Sequence, residues 1–177
     1  KGHADLVRAV AAMRESLGRA RVVFVGDGPE RSRVYGMVTR LNLSTKIVFT
    51  GHQLDVRPYY ALATLLALPS HSEGSPNVVL EAMSAKVPVV GTAVGGVPEI
   101  VAHERTGLIV PPRDTAAMAG AIARLLDDAG LRARLAHAAE EHVRLQHTPA
   151  AYDAALVSLY EDVLRSYPLE NAHMPAR

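Results

Sequence analysis

The segment Ser70-His71-Ser72-Glu73-Gly74-Ser75-Pro76-Asn77-Val78-Val79-Leu80-Glu81-Ala82 concentrates residue types that could do chemistry. An apolar run ends at Leu68-Pro69-Ser70 and a polar loop follows. A helix is expected to open near Pro76, because proline suits a first turn, where its missing N–H would have no partner. Gly74 permits close backbone approach, and the N–H groups of Ser75, Asn77 and Val78 would then face outward. Together with the helix dipole they form an anion site, most naturally for phosphate. Two carboxylates bracket it: Glu73 in the loop and Glu81 inside the helix. A phosphate between two hydroxyl-accepting carboxylates describes a sugar nucleotide, with ribose on one side and a hexose on the other. Taken singly, Glu81 reads equally well as a solvated helix residue, and Glu73 as a cap on the following helix.

Such a site needs strands and helices to hold it. Short apolar runs occur at Val22-Val23-Phe24-Val25, Ile47-Val48-Phe49-Thr50, Leu65-Leu66-Ala67-Leu68, Val87-Pro88-Val89-Val90 and Leu108-Ile109-Val110. Consecutive apolar positions imply burial on both faces, as in a parallel sheet covered by helices. Helical stretches alternate with them: 30–41, 56–63, 76–85, 97–101 and 115–126. An earlier one carries Leu6, Val7, Val10, Met13 and Leu17. Two more follow at 131–145 and 150–164. This alternation predicts a doubly wound, Rossmann-like α/β fold, whose ligands bind beyond the carboxyl ends of the strands. Residues 1–165 are read as one domain and 166–177 as a flexible tail.

Other candidate motifs carry less. Gly26-Asp27-Gly28 continues as Pro29-Glu30-Arg31, so the third glycine of a dinucleotide fingerprint is missing and a turn is the better reading. Gly95-Gly96 follows a strand, and serves equally as a tight loop or a ligand clamp. His137, His142 and His147 recur every fifth residue, a spacing that scatters them around a helix, and no metal-ligand motif is present.

Composition removes whole classes of function. The chain has 177 residues, 49% of them hydrophobic, a formal net charge of +1 and no cysteine. Disorder is excluded by the aliphatic content, and the balanced charge gives no field for a nucleic acid. Disulfides and a cysteine nucleophile are excluded outright, which suits a reducing compartment. The longest apolar stretch falls far short of the roughly 20 residues that span a bilayer.

Glu73 and Glu81 match an E-x7-E motif, and the match continues through 82–92 and through Gly95-Gly96-Val97-Pro98-Glu99-Ile100-Val101. It also takes in 23–29, 48–51 and 107–112, all in one order. On these blocks the chain resembles the retaining, GT-B type glycosyltransferases of the group 1 class (family 4), over 1–164. The resemblance implies a C-terminal, donor-binding domain that takes a UDP-, GDP- or ADP-sugar, with no metal and no further cofactor. Glu73 would contact donor-sugar hydroxyls and Glu81 would hold the ribose. The backbone at Gly74, Ser75, Pro76 and Asn77 would lie against sugar and diphosphate. Gly26 would let the first strand–helix loop approach the ligand, and Thr50 and Gly51 would lie near the nucleobase. Lys1 matches the lysine of a G-R-L-x-x-x-x-K-G pattern that neutralises the diphosphate leaving group.

In that family the pattern's arginine and a further strand precede the lysine, and an N-terminal domain holds the acceptor. By resemblance, the strand would sit between Val22–Val25 and Leu65–Leu68, so those two strands are expected not to pair. The residues from Lys1 onward are therefore expected to be neither an independently stable domain nor active in transfer by themselves. A cytoplasmic location is implied, and peripheral membrane contact is compatible with it. The alternatives are a non-catalytic sugar-nucleotide-binding module, or another GT-B enzyme such as a sugar-nucleotide epimerase or phosphorylase.

Overall fold

The computed structural model describes residues 1–166. Eight helices and five strands follow one another as α1 (His3–Ala12), β1 (Val22–Val25), α2 (Arg31–Arg40), β2 (Ile47–Gly51), α3 (Arg57–Leu62), β3 (Leu66–Leu68), α4 (Asn77–Ser84), β4 (Val89–Thr92), α5 (Val97–Ile100), β5 (Leu108–Val110), α6 (Thr115–Asp127), α7 (Ala129–Gln146) and α8 (Pro149–Ser166). Every strand pairing is parallel, in the orders β1-β2 and β3-β4-β5. This is the expected Rossmann-like α/β class, and β1 and β3 do not pair. The tail expected over 166–177 lies outside the described residues, apart from Ser166, which closes α8.

Two expectations need correction. Burial on both faces holds for β4, all four of whose residues are buried. It fails for β1, which alternates, with Val23 and Val25 exposed and Val22 and Phe24 packed on the core. Val48 of β2 is exposed as well. Apolar residues in these two strands therefore do not report burial on both faces.

The fourth strand also starts two residues later than its apolar run. α4 ends in a Schellman motif: Val87 N–H donates to Ala82 O at 2.8 Å and Lys86 N–H to Met83 O at 3.1 Å. Lys86 takes the left-handed position at φ 58°, where glycine is usual. Val87 is thus committed to the helix end, and Pro88 has no N–H to give. The ladder begins at Val89, opposite Leu66.

The core has two parts. One gathers the buried faces of α1, α2, α6 and the start of α7 around Ile47, Val90, Leu108 and Val110. The other packs Val79, Ala82 and Met83 of α4 against Leu68, Val89, Val97 and Ile100. Their spacing of three and four residues turns one side of α4 inward, which leaves Glu81 exposed on the other. Asp128 separates α6 from α7 by a single residue and caps α7, accepting from Leu131 N–H at 2.8 Å. His142 and His147, expected to be scattered, have ring centroids 5.3 Å apart because His147 has already left the helix.

Candidate functional site

The polar loop after β3 is held from three directions, and its ligand-ready groups follow from that hold. Ser70, directly after Pro69, is fully buried and donates to Glu73 Oε1 at 2.5 Å. Thr92, the last residue of β4, is also buried and donates to Ser70 O at 2.5 Å. Beyond the carboxyl ends of neighbouring parallel strands, one buried hydroxyl thus fixes the Ser70 backbone and a second fixes the Glu73 carboxylate. Lys1 Nζ reaches both Glu73 oxygens at 2.8 Å. The Glu73 side chain is only 8% exposed, while that of Lys1 is 64% exposed. Burial alone would raise the Glu73 carboxyl, but hydrogen bonds from Lys1 and Ser70 and the Lys1 charge outweigh it, and the group lies below the ordinary carboxylate range.

From the α1 side, Gly2 caps the helix in the left-handed region at φ 68° and lies flat against Pro69. A Cβ there would fall 1.7 Å from the Pro69 carbonyl oxygen. Asp5, one turn on, contacts His71 Nε2 at 2.6 Å through Oδ2 and accepts from Arg8 through Oδ1. From the third side comes the loop after β4. Gly96 N–H donates to Gly74 O at 2.9 Å. Gly95, at φ 50°, would put a Cβ 1.7 Å from the Glu73 carbonyl oxygen. The Gly95-Gly96 pair is therefore a backbone brace for the Glu73–Gly74 loop.

α4 begins at Asn77, one residue later than expected, with a buried Pro76 as an extended N-cap at ψ 97°. No side chain caps it, and Gly74, Ser75 and Asn77 are exposed there. No side chain of the N-cap competes for its first N–H groups, as an anion site at a helix start requires. Further along, Glu81 accepts a hydrogen bond from the Tyr60 hydroxyl at 2.9 Å.

The remaining sequence-predicted residues cluster at the ends of β1 and β2. Gly26 N–H donates to Gly51 O at 2.9 Å. The Thr50 hydroxyl is taken up by Gly51 O at 3.1 Å and Phe24 O at 3.4 Å, so it is not a free donor for a base. A cavity of about 560 Å³ opens beside this turn, lined by Lys1, His3, Gly26, Arg31, Phe49 and His71 among others. An aromatic series forms part of its wall, with His3 edge-on to Phe24 at 5.4 Å and Phe24 5.2 Å from Phe49. Burial first, and the nearby Lys1 side-chain charge, push the His3 imidazole below its ordinary value.

Of the sequence-predicted site residues, only Lys1 and Gly26 line this cavity. Glu73 is joined to it through Lys1, whereas Gly74–Asn77 and Glu81 lie on the α4 side. The volume suits a nucleotide, yet the residues expected to meet phosphate and hydroxyl groups are beside it and not inside it. Sequence reading gave no role to Ser70, Thr92, Asp5 or Tyr60. Ser70 had a local signal, a hydroxyl at the end of a strand. Asp5 and Tyr60 had none, since their partners lie 66 and 21 residues away. Among the described residues, no three side chains gather as a metal site and no helix is long and apolar enough to cross a membrane.

Residues 1–128 match the family model described as glycosyl transferases group 1. The chain is 34% identical over 161 residues to N-acetyl-alpha-D-glucosaminyl L-malate synthase of Bacillus anthracis, covering 91% of this chain and 42% of that protein. Among solved structures, sucrose-phosphate synthase from Thermosynechococcus elongatus superposes with a TM-score of 0.80 at 33% identity, over 94% of this chain and 43% of that one. Anabaena Alr3699/HepE, solved in complex with UDP, superposes with a TM-score of 0.75 at 27% identity, over 81% and 41%. The chain thus spans less than half the length of these relatives.

Proposed function

Because this chain belongs to the group 1 glycosyl transferases, we propose that it is the donor-binding part of a retaining, family 4 enzyme that moves a sugar from a nucleoside diphosphate to an acceptor hydroxyl. The observation that carries the proposal is the juxtaposition at α4. A carboxylate fixed by Lys1 and Ser70 stands before the uncapped helix start, and a second carboxylate stands inside the helix.

In this reading the diphosphate of a UDP-, GDP- or ADP-sugar lies across the N–H groups that open α4, with Lys1 beside it. Gly74–Asn77 pack on the sugar and diphosphate. Glu73 accepts from sugar hydroxyls, and Glu81 from the ribose. The turn of Gly26 closes on the nucleotide, and the backbone at Thr50 and Gly51 faces the base. Transfer breaks the bond between the anomeric carbon and the diphosphate oxygen, which leaves with the electron pair. Lys1 and the helix start offset that growing negative charge. The acceptor oxygen bonds to the anomeric carbon from the face the leaving group vacates, its proton passes to the departing phosphate oxygen, and configuration is retained. A cytoplasmic protein, with or without peripheral membrane contact, fits a donor of this kind.

Calorimetric titration of the protein in its natural full length with UDP, GDP and ADP, and then with their hexose conjugates, tests the proposal. Saturable binding of one nucleotide series supports it. Absence of binding at millimolar ligand, with the circular dichroism spectrum of a folded protein, overturns it.

A further inference from the structure

We propose that Tyr60 is a positioning residue for nucleotide recognition, holding the Glu81 carboxylate in the orientation in which its second oxygen accepts from the ribose; this rests on the role given to Glu81 above. Tyr60 lies on α3, in the connection between the end of β2 and β3. Its hydroxyl donates to Glu81 Oε2 at 2.9 Å and lies 3.4 Å from the Val78 carbonyl oxygen, one turn earlier on α4. Its ring is half-buried and packs against the cluster that holds Val79, Ala82 and Met83. The hydroxyl is therefore delivered from a fixed base.

Glu81 has no comparable support of its own. It is exposed on the outer side of α4, and among the described residues Tyr60 is the one side chain that hydrogen-bonds to it. An unanchored glutamate samples many rotamers, and a ligand that selects one of them binds more weakly by the populations it excludes. With Oε2 occupied, Oε1 remains to accept a hydroxyl proton, and the carboxylate plane is set before the nucleotide arrives. Burial, reinforced by the adjacent Glu81 carboxylate, raises the Tyr60 phenol far above its ordinary value. The group thus stays protonated, and remains a donor, at any pH at which the protein would work.

The same contact also ties α3 to α4, and a purely structural tie would affect all nucleotides alike. The test therefore compares ligands that differ in the ribose only. Wild-type protein and Tyr60→Phe, each in its natural full length, are titrated with whichever of UDP, GDP and ADP the wild type binds most tightly, and with its 2′,3′-dideoxy counterpart. Phenylalanine preserves the ring packing, and a thermal melt verifies the fold. Tyr60→Phe is expected to weaken the ribonucleotide about five- to tenfold and the dideoxynucleotide less than twofold, with no further loss when combined with Glu81→Ala. Equal weakening of both ligands, or of neither, overturns the role of Tyr60 while leaving Glu81 intact if the wild type still prefers the ribonucleotide. A wild type that binds both nucleotides equally overturns the ribose role of Glu81, and the Tyr60 proposal with it.

Discussion

Gly95→Ala should both destabilise the protein and displace Glu73, although residue 95 has no side chain to lose. The added Cβ would stand 1.7 Å from the Glu73 carbonyl oxygen and 2.7 Å from its carbon. Both are backbone atoms, so no rotamer change relieves the overlap, and one of the two loops must move by roughly an ångström or more. That movement strains the Gly96 N–H to Gly74 O bond of 2.9 Å and the 2.5 Å contact from Ser70 to Glu73. An L-residue at φ 50° adds a further cost of about 1–2 kcal/mol. One weakened hydrogen bond adds about 1 kcal/mol, giving about 2–3 kcal/mol before the overlap itself is counted. For a domain of this size that corresponds to a drop in Tm of at least roughly 4–12 °C. Differential scanning calorimetry reads the stability, and nucleotide titration reads the displacement of the loop. A variant with unchanged Tm and unchanged affinity would refute the view that the Gly95-Gly96 loop braces the site.

Glu81→Ala should weaken nucleotide binding by about 1.5–3 kcal/mol, the range for a hydrogen bond to a charged group. The fold should hold, because alanine is the better helix former, so an unchanged calorimetric affinity would mark Glu81 as an ordinary surface residue. Glu73→Ala is expected to keep most nucleoside diphosphate affinity but abolish transfer by the natural full-length enzyme; equal losses in both assays contradict a role confined to the sugar. The Glu73 carboxyl is lower in the folded protein than its ordinary 4.5, so its ionised form contributes stability above that pH and loses it as pH falls through the folded value. The Tm difference between wild type and Glu73→Gln should therefore hold from neutral pH down to about 5 and shrink on further acidification; a difference indifferent to acid would exclude the ion pair as its source. Lys86→Gly should raise stability by about 0.5–1 kcal/mol in chemical denaturation, because it relieves the left-handed Schellman position at the cost of only a 3.5 Å contact between the exposed Lys86 ammonium and the half-buried Glu140. A loss of stability there would contradict the cap assignment.

Much of the fold was legible because the apolar runs were short and well punctuated. Val22–Val25 and Leu108–Val110 emerge with the bounds their residues suggest, and Pro76 marks the start of α4, whereas α7 opens two residues before its expected start at 131 because Asp128 caps it. The start of β4 was not legible from its apolar run, since Val87 answers to the end of α4 before it can join a ladder. The one-sided burial of Val23, Val25 and Val48 was likewise hidden, because periodicity shows what is apolar and not what lies above it. At the site, Glu73 and Glu81 stood out through their spacing on one loop and helix. What holds them did not: Thr92, Gly95 and Tyr60 come from other strands, loops and helices, and only the parallel crossovers bring them in. The Lys1–Glu73 contact, across 72 residues, shows the same limit.

The structure of the natural full-length protein with a bound nucleoside diphosphate is the most direct test of the donor-site reading. It should place the ribose hydroxyls against Glu81 Oε1, with Tyr60 still on Oε2, and the diphosphate over the N–H groups of Asn77 and Val78 with Lys1 beside it. A nucleotide seated elsewhere, with Glu81 facing bulk solvent and the start of α4 free of phosphate, would contradict the account.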